Sequence, residues 1–260
     1  MKTLGENPGR SASNRSLLRG AEILRAFRPG SDLLGNGEIA ERTGLSTSTV
    51  SRLTQTLVEG GLLQLDRSRR AYRLAPLVLS LGHAMRSGSQ VLAIAAPRMR
   101  ALAERERINV GLAYPDLDEM VYLESIRYNR RVALRNVVSG QRVPMELTSL
   151  GRAYLAVAPS DRYQLLEPIF EQRNGTHWPL IKSAIDDATN SMRLNGYCWA
   201  CWQPEVVALS TAFTSKEGIC VINVSVSTQD SPQDWVNALA PQLLRLKNEI
   251  YSELSRQQED

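Results

Sequence analysis

The chain has 260 residues, with 31 Lys+Arg against 27 Asp+Glu, three cysteines and two histidines. It is long enough for two domains with separate cores, no apolar run reaches the length of a membrane span, and three cysteines make no disulfide framework. The charge is unevenly placed: residues 1–88 hold 13 basic against 7 acidic side chains and residues 89–260 hold 18 against 20, so +6 lies at one end and −2 on the rest, as an association with phosphate by the first segment requires.

Met1 to Ser16 lacks the apolar centre of a signal peptide, and residues 1–14 read as a flexible cytoplasmic arm. Leu17, Ala21 and Leu24, with Leu18 and Phe27 beside them, predict an amphipathic helix over residues 15–28 that Pro29 and Gly30 stop. A second helix carries Ile39 and Ala40 inward and ends at Gly44. Ser46 then caps a third, whose Val50, Leu53, Leu57 and Val58 form one apolar stripe. Its opposite face shows Thr47, Ser48, Thr49, Ser51, Arg52 and Gln55, with no acidic residue before Glu59. Hydroxyls, an amide and a guanidinium suit base edges and phosphates in a major groove. Gly60 and Gly61 end the helix, and Leu63–Leu65 and Tyr72–Leu74 alternate as strands around a tip bearing Arg67, Arg69 and Arg70. Residues 15–75 therefore read as a winged helix-turn-helix that binds double-stranded operator DNA, the wing holding phosphates or the minor groove. The competing reading is a packing motif with a solvated basic surface.

Residues 76–89 follow as a linker helix with Leu77, Leu81 and Ala84 on one face, broken at Ser87-Gly-Ser89. That face needs a partner, in its own subunit or in another. Residues 90–107 read as a helix, and strands are expected at 110, 119 and 131. Helices follow at 147–158, 160–172 and 180–195, then strands at 210 and 219, and a closing helix over 232–256 turns Trp235, Leu239, Leu243, Leu246 and Ile250 inward. That order predicts an α+β domain with an antiparallel sheet over 90–256.

Alternation along ICVINVSV puts Cys220, Ile222, Val224 and Val226 on one face and Asn223 and Ser225 on the other. An inward polar pair needs partners, supplied by a small ligand, by water or by neighbouring backbone. The helix start at Glu146–Ser149 offers free amides and the hydroxyls of Thr148 and Ser149 to a carboxylate, unless those hydroxyls only cap the helix. The loop Tyr197–Trp202 adds the indoles of Trp199 and Trp202, which suit an aromatic or elongated acid.

Across residues 15–255 the chain resembles the IclR family of bacterial transcriptional regulators. The N-terminal segment carries the likeness together with PMELTSLGRAYLA at 144–156 and, more loosely, Gly196–Val226. The resemblance implies a GAF-like effector domain and a homodimer or dimer of dimers, in which the linker helix and winged domain pack across the dimer. It also implies an effector pocket at positions matching Ser149, Ser210, Asn223 and Ser225; with the helix start and the Tyr197–Trp202 loop added, the candidate ligand residues are Thr148, Ser149, Leu150, Trp199, Ala200, Ser210, Asn223 and Ser225. Glu146, Ala200 and Phe213 depart from the family's pattern and point to a pocket altered in charge and size.

Cys198 and Cys201 form Cys-Trp-Ala-Cys, a pattern open to a redox pair or half a zinc site. No second ligand pair accompanies it, and His83 and His177 lie far apart in sequence. No cofactor and no metal is expected. An enzyme would need a nucleophile–histidine order, a phosphate loop or a metal quartet, and none is present. An architectural DNA-binding protein would leave the acidic C-terminal part without a role. The expectation is a regulator whose partners are operator DNA, a small carboxylic acid and a second copy of itself, with no membrane.

Overall fold

The computed structural model describes residues 13–128 and 138–259 and divides the chain into two compact units, one ending at Met85 and the other beginning at Arg86. Apart from Ser13 and Asn14 the arm lies outside the described residues, as does the strand expected at 131.

In the first unit α1 (Arg15–Arg25) is capped by Asn14, whose side chain accepts from the amides of Ser16 and Leu17. The expectation for this helix needs correction. It ends three residues before Arg28, and its inward residues are Gly20 and Ile23, followed by Ala26 and Phe27, while Leu17 and Leu18 are exposed. Two neighbouring stripes of the segment are apolar, so spacing alone does not choose between them; packing against α2 (Asn36–Thr43) and α3 (Thr47–Glu59) does. Gly44 closes α2 at φ 68°, where a β-carbon would be strained, and Arg42 ties α2 to the Ala26 carbonyl at 2.9 Å. Ser46 caps α3 through the Thr49 amide. The expected stripe packs inward, but Thr54 is buried with it, its hydroxyl donating to the Val50 carbonyl at 2.9 Å. Strands β1 (Leu63–Asp66) and β2 (Ala71–Leu74) pair antiparallel from Leu63 opposite Leu74 to Asp66 opposite Ala71. Buried Leu34 bridges to Tyr72 and extends the wing.

Helix α4 (Pro76–Ser87) has no buried residue, and Leu77, Leu79, Leu81 and Met85 are exposed.

Among the described residues the second unit is a six-stranded antiparallel sheet between two helical layers, the expected α+β architecture. Its strands are β3 (Asn109–Asp116), β4 (Glu119–Ile126), β5 (Arg142–Pro144), β6 (Cys198–Ala200), β7 (Val206–Ser215) and β8 (Gly218–Ser227), in the spatial order β5-β4-β3-β8-β7-β6. On one face α5 (Gln90–Glu106) and α9 (Pro232–Glu259) pack on Leu112, Leu209, Ile222 and Val224. On the other, α6 (Ser149–Leu155), α7 (Ser160–Asn174) and α8 (Trp178–Asn195) cover Met120, Val143 and Val221. The helix expected over 147–158 is only seven residues long, and the loop expected at Tyr197–Trp202 contains edge strand β6, hydrogen-bonded to β7. Glu217, in the β7–β8 turn, reaches the start of α5, accepting from the Val91 amide at 2.9 Å and the Ser89 hydroxyl at 2.6 Å.

Candidate functional site

Two surfaces carry most of the residues that the sequence reading names. On the first unit Ser46, Thr47, Ser48, Ser51, Arg52 and Gln55 are exposed and Thr49 is half-buried. The buried Val50–Leu53–Thr54 side fixes the helix so that this polar side faces outward. Thr49 and Ser48 both hydrogen-bond the capping Ser46 hydroxyl, and Gln55 reaches Glu59 at 3.3 Å.

Arg67, Arg69 and Arg70 are exposed at the wing tip. Arg70 takes a left-handed backbone, φ 50°. The residue that shapes this turn is Asp66, which sequence reasoning passed over: one carboxylate oxygen accepts from the Ser68 hydroxyl and from the amides of Ser68 and Arg69, and the other pairs with Arg73 at 2.7 Å. Those bonds, led by the Ser68 hydroxyl, hold the Asp66 carboxyl below its ordinary pKa. An Asp turning back on its following amides is a known turn signal.

The second surface is a cleft of about 60 Å³ on the α6 side of the sheet. Thr148, Ser149, Leu150, Ala200, Asn223 and Ser225 line it. Trp199 does not: the alternation of β6 buries Cys198 and Ala200 and turns Trp199 outward. Ser210 stands behind the wall, its hydroxyl 2.8 Å from that of Ser149. The hydroxyl of Thr148 is also engaged, accepting from the Gly151 amide at 3.2 Å and donating to the Pro144 carbonyl at 2.7 Å, so it serves as a helix cap.

Sequence reasoning missed other lining residues, Tyr122 and Arg127 above all, with Val143, Gln203, Val206 and Ala208. The Arg127 guanidinium lies 5.9 Å from the centroid of the Tyr122 ring. Burial pushes the Tyr122 phenol above its ordinary pKa, and Arg127 and the Asn223 amide beside it partly counter that. Burial likewise lowers Arg127 against the opposing effect of Tyr122. The register explains the crowding: Asn223 pairs with Gly111 on one side and Ser210 on the other, and a β-carbon on Gly111 would stand 2.4 Å from both Asn223 Oδ1 and Tyr122 Cε1. An alternating strand pattern makes Tyr122 legible; the inward turn of Arg127, just past the end of β4, has no such signal.

The three departures fall in different places. Only Ala200 lines the cleft. Glu146 is fully buried away from it, with Arg173 at 3.3 Å and Asn174 at 3.2 Å, and Phe213 packs in the α5–α9 core. Gly151, in the same motif, lets the chain fold back on itself, since a β-carbon there would meet the Met145 Cα at 2.1 Å. Cys198 is buried beside the Ser149 carbonyl, with burial pushing its thiol up to about 12, and Cys201 is exposed. Among the described residues no group of His, Cys, Asp and Glu is placed to hold a metal ion.

Residues 16–67 match the IclR helix-turn-helix domain, and residues 83–238 match the family described as bacterial transcriptional regulator IclR C-terminal. The crystal structure of an IclR family transcriptional regulator from Brucella abortus superposes with a TM-score of 0.83 at 32% identity, covering 93% of each chain. The HTH-type transcriptional regulator TsaQ1/TsaQ2 of Comamonas testosteroni is 37% identical over 184 residues, 70% of this chain but only 66% of that relative. An IclR homolog from Microbacterium hydrocarbonoxydans, solved complexed with 4-hydroxybenzoate, shares the fold at a TM-score of 0.69 and 21% identity, over 93% of this chain and 99% of its own.

Proposed function

The chain belongs to the IclR family of transcriptional regulators, and on that premise we propose that it binds a palindromic operator through residues 15–75 and senses a small carboxylic acid through residues 90–256, with residues 76–89 joining the two. It acts in the cytoplasm and catalyses no reaction. Arg52, Gln55 and the hydroxyls of Thr47, Ser48 and Ser51 read the major groove while Arg67, Arg69 and Arg70 hold phosphates. The exposed leucines of α4 give it a reason to pair with a second copy, which would set two α3 helices against two half-sites.

The observation that carries the acid-sensing part is the cleft itself, where among the described residues the Arg127 guanidinium and the polar ends of Tyr122, Asn223, Ser149 and Ser225 converge inside an apolar wall. The hydroxyl of Thr148 is spent on capping α6, so the carboxylate falls to Arg127 and not to the helix start. An acid that prefers one arrangement of the C-terminal part changes operator affinity by the same coupling free energy. A thermal-shift screen of small carboxylic acids on the full chain, followed by operator binding with and without any acid that shifts melting, tests this. A protein that binds the operator and whose melting no acid moves is an architectural protein instead.

A further inference from the structure

Asp66 is the only acidic residue between Leu63 and Leu74, a stretch that also holds Arg67, Arg69, Arg70 and Arg73. On charge alone it repels the polyanion that the wing arginines are proposed to hold. Both of its oxygens, however, are turned onto its own chain. One accepts from the Ser68 hydroxyl at 2.6 Å and from the amides of Ser68 and Arg69, each at 3.1 Å. The other pairs with Arg73 at 2.7 Å. The tip between β1 and β2 is only Arg67 to Arg70, and its last residue stands at φ 50°, a left-handed backbone that suits glycine or asparagine and strains other side chains. An arginine kept there against local preference needs a turn that is held by something else, and Asp66 is the side chain that holds it.

We infer that Asp66 is a positioning residue for DNA binding: by accepting from the turn it fixes the tip, so that Arg67, Arg69 and Arg70 meet phosphates together, and this gain outweighs its own repulsion. The inference rests on the wing being a phosphate-binding element. The two effects have opposite signs, so the role is measurable. Removing the carboxylate deletes a negative charge, which by itself tightens binding and steepens its salt dependence. Removing the acceptor frees the tip, so the arginines must be ordered at the moment of binding, and affinity falls.

The test is fluorescence anisotropy of the full-length protein on a short random-sequence duplex, over a sodium chloride series from about 50 to 200 mM. In Asp66→Ala affinity is expected to fall severalfold and the slope of log affinity against log salt to drop by roughly 1 or more, although the wing has become more positive. Asp66→Asn keeps an acceptor for the two amides and releases Arg73, so its slope is expected to match the wild type or exceed it by up to about 1. Far-ultraviolet circular dichroism is expected to be unchanged in both. An Asp66→Ala slope at or above the wild type shows a carboxylate that only repels phosphate, and an Asp66→Asn slope that falls as far as that of Asp66→Ala shows that the turn bonds are not what matters; either overturns the inference. Should Asp66→Ala fail to fold, Ser68→Ala decides, since it removes a donor to Asp66 with no change of charge and a neutral hydroxyl releases no counterions of its own. A lower slope there supports the inference and an unchanged one overturns it. The double variant Arg69→Ala/Arg70→Ala separates the two readings. An unchanged slope in it overturns the phosphate role of the wing and this inference together, whereas a lowered slope beside an undiminished one in Asp66→Ala overturns this inference alone.

Discussion

On α3, Thr47, Ser48, Ser51, Arg52 and Gln55 stand in solvent, whereas Ser149, Asn223 and Ser225 in the cleft, and Ser210 behind its wall, are each 5% exposed or less. Exposed polar groups are satisfied by water in the free protein, so the α3 surface reveals little about what it binds. Buried ones must find partners inside the fold. The inner hydrogen bonds therefore show which groups are already spoken for, and by subtraction what a ligand must bring.

The sharpest way to break the contrast is to attack the sheet unit alone. Gly151→Ala drives a β-carbon into the Met145 backbone and is expected to cost about 3 kcal/mol or more, since backbone cannot retreat as a flexible side chain can. All four tryptophans, at 178, 199, 202 and 235, lie in that unit, so urea unfolding followed by indole fluorescence reports it separately. An unchanged midpoint would show that the 144–156 motif tolerates a side chain there.

On the exposed side the effects are smaller and should depend on DNA sequence. Arg52→Ala or Gln55→Ala is expected to weaken operator binding by about 1–3 kcal/mol per lost base contact, with little change on random DNA. Equal losses on both DNAs would mean that this face does not read bases.

Smallest is the wing. Replacing Arg69 and Arg70 together is expected to lower the slope of log affinity against log salt by roughly 1–2 while fold and sequence preference persist. A salt slope identical to the wild type would place the wing away from phosphate.

The same contrast explains what the sequence disclosed. In the N-terminal unit the helix period, Gly44 and the Ser46 cap are local signals, so the order of elements and the outward face were legible from spacing. Leu34 pairing with Tyr72 across the wing was not, and Thr54 reads as polar because the bond to its own helix carbonyl is invisible in a sequence. Around the cleft, strand alternation put Asn223 and Ser225 on one face, the helix start offered Ser149, and the family likeness supplied Ser210. It did not reveal that Trp199 turns outward on an edge strand, that Glu146 answers to Arg173 and not to a ligand, or that Arg127 turns in beside Tyr122. The first depends on edge-strand pairing, the second on a neighbour far along the chain, and the third on a turn of the backbone just past β4; spacing carries no record of them.

One long-distance contact also bears on how the protein is made. Ser89 gives α5 a local cap through the Leu92 amide, but the second cap comes from Glu217, 126 residues beyond Val91. At roughly 5–20 residues per second of synthesis, α5 spends on the order of 6–25 s without it. The helix therefore leaves the ribosome with its first turn half secured, and its start is fixed only when the β7–β8 hairpin closes, so that one of the last pieces of sheet to be translated completes a helix that was among the first parts of its unit to emerge.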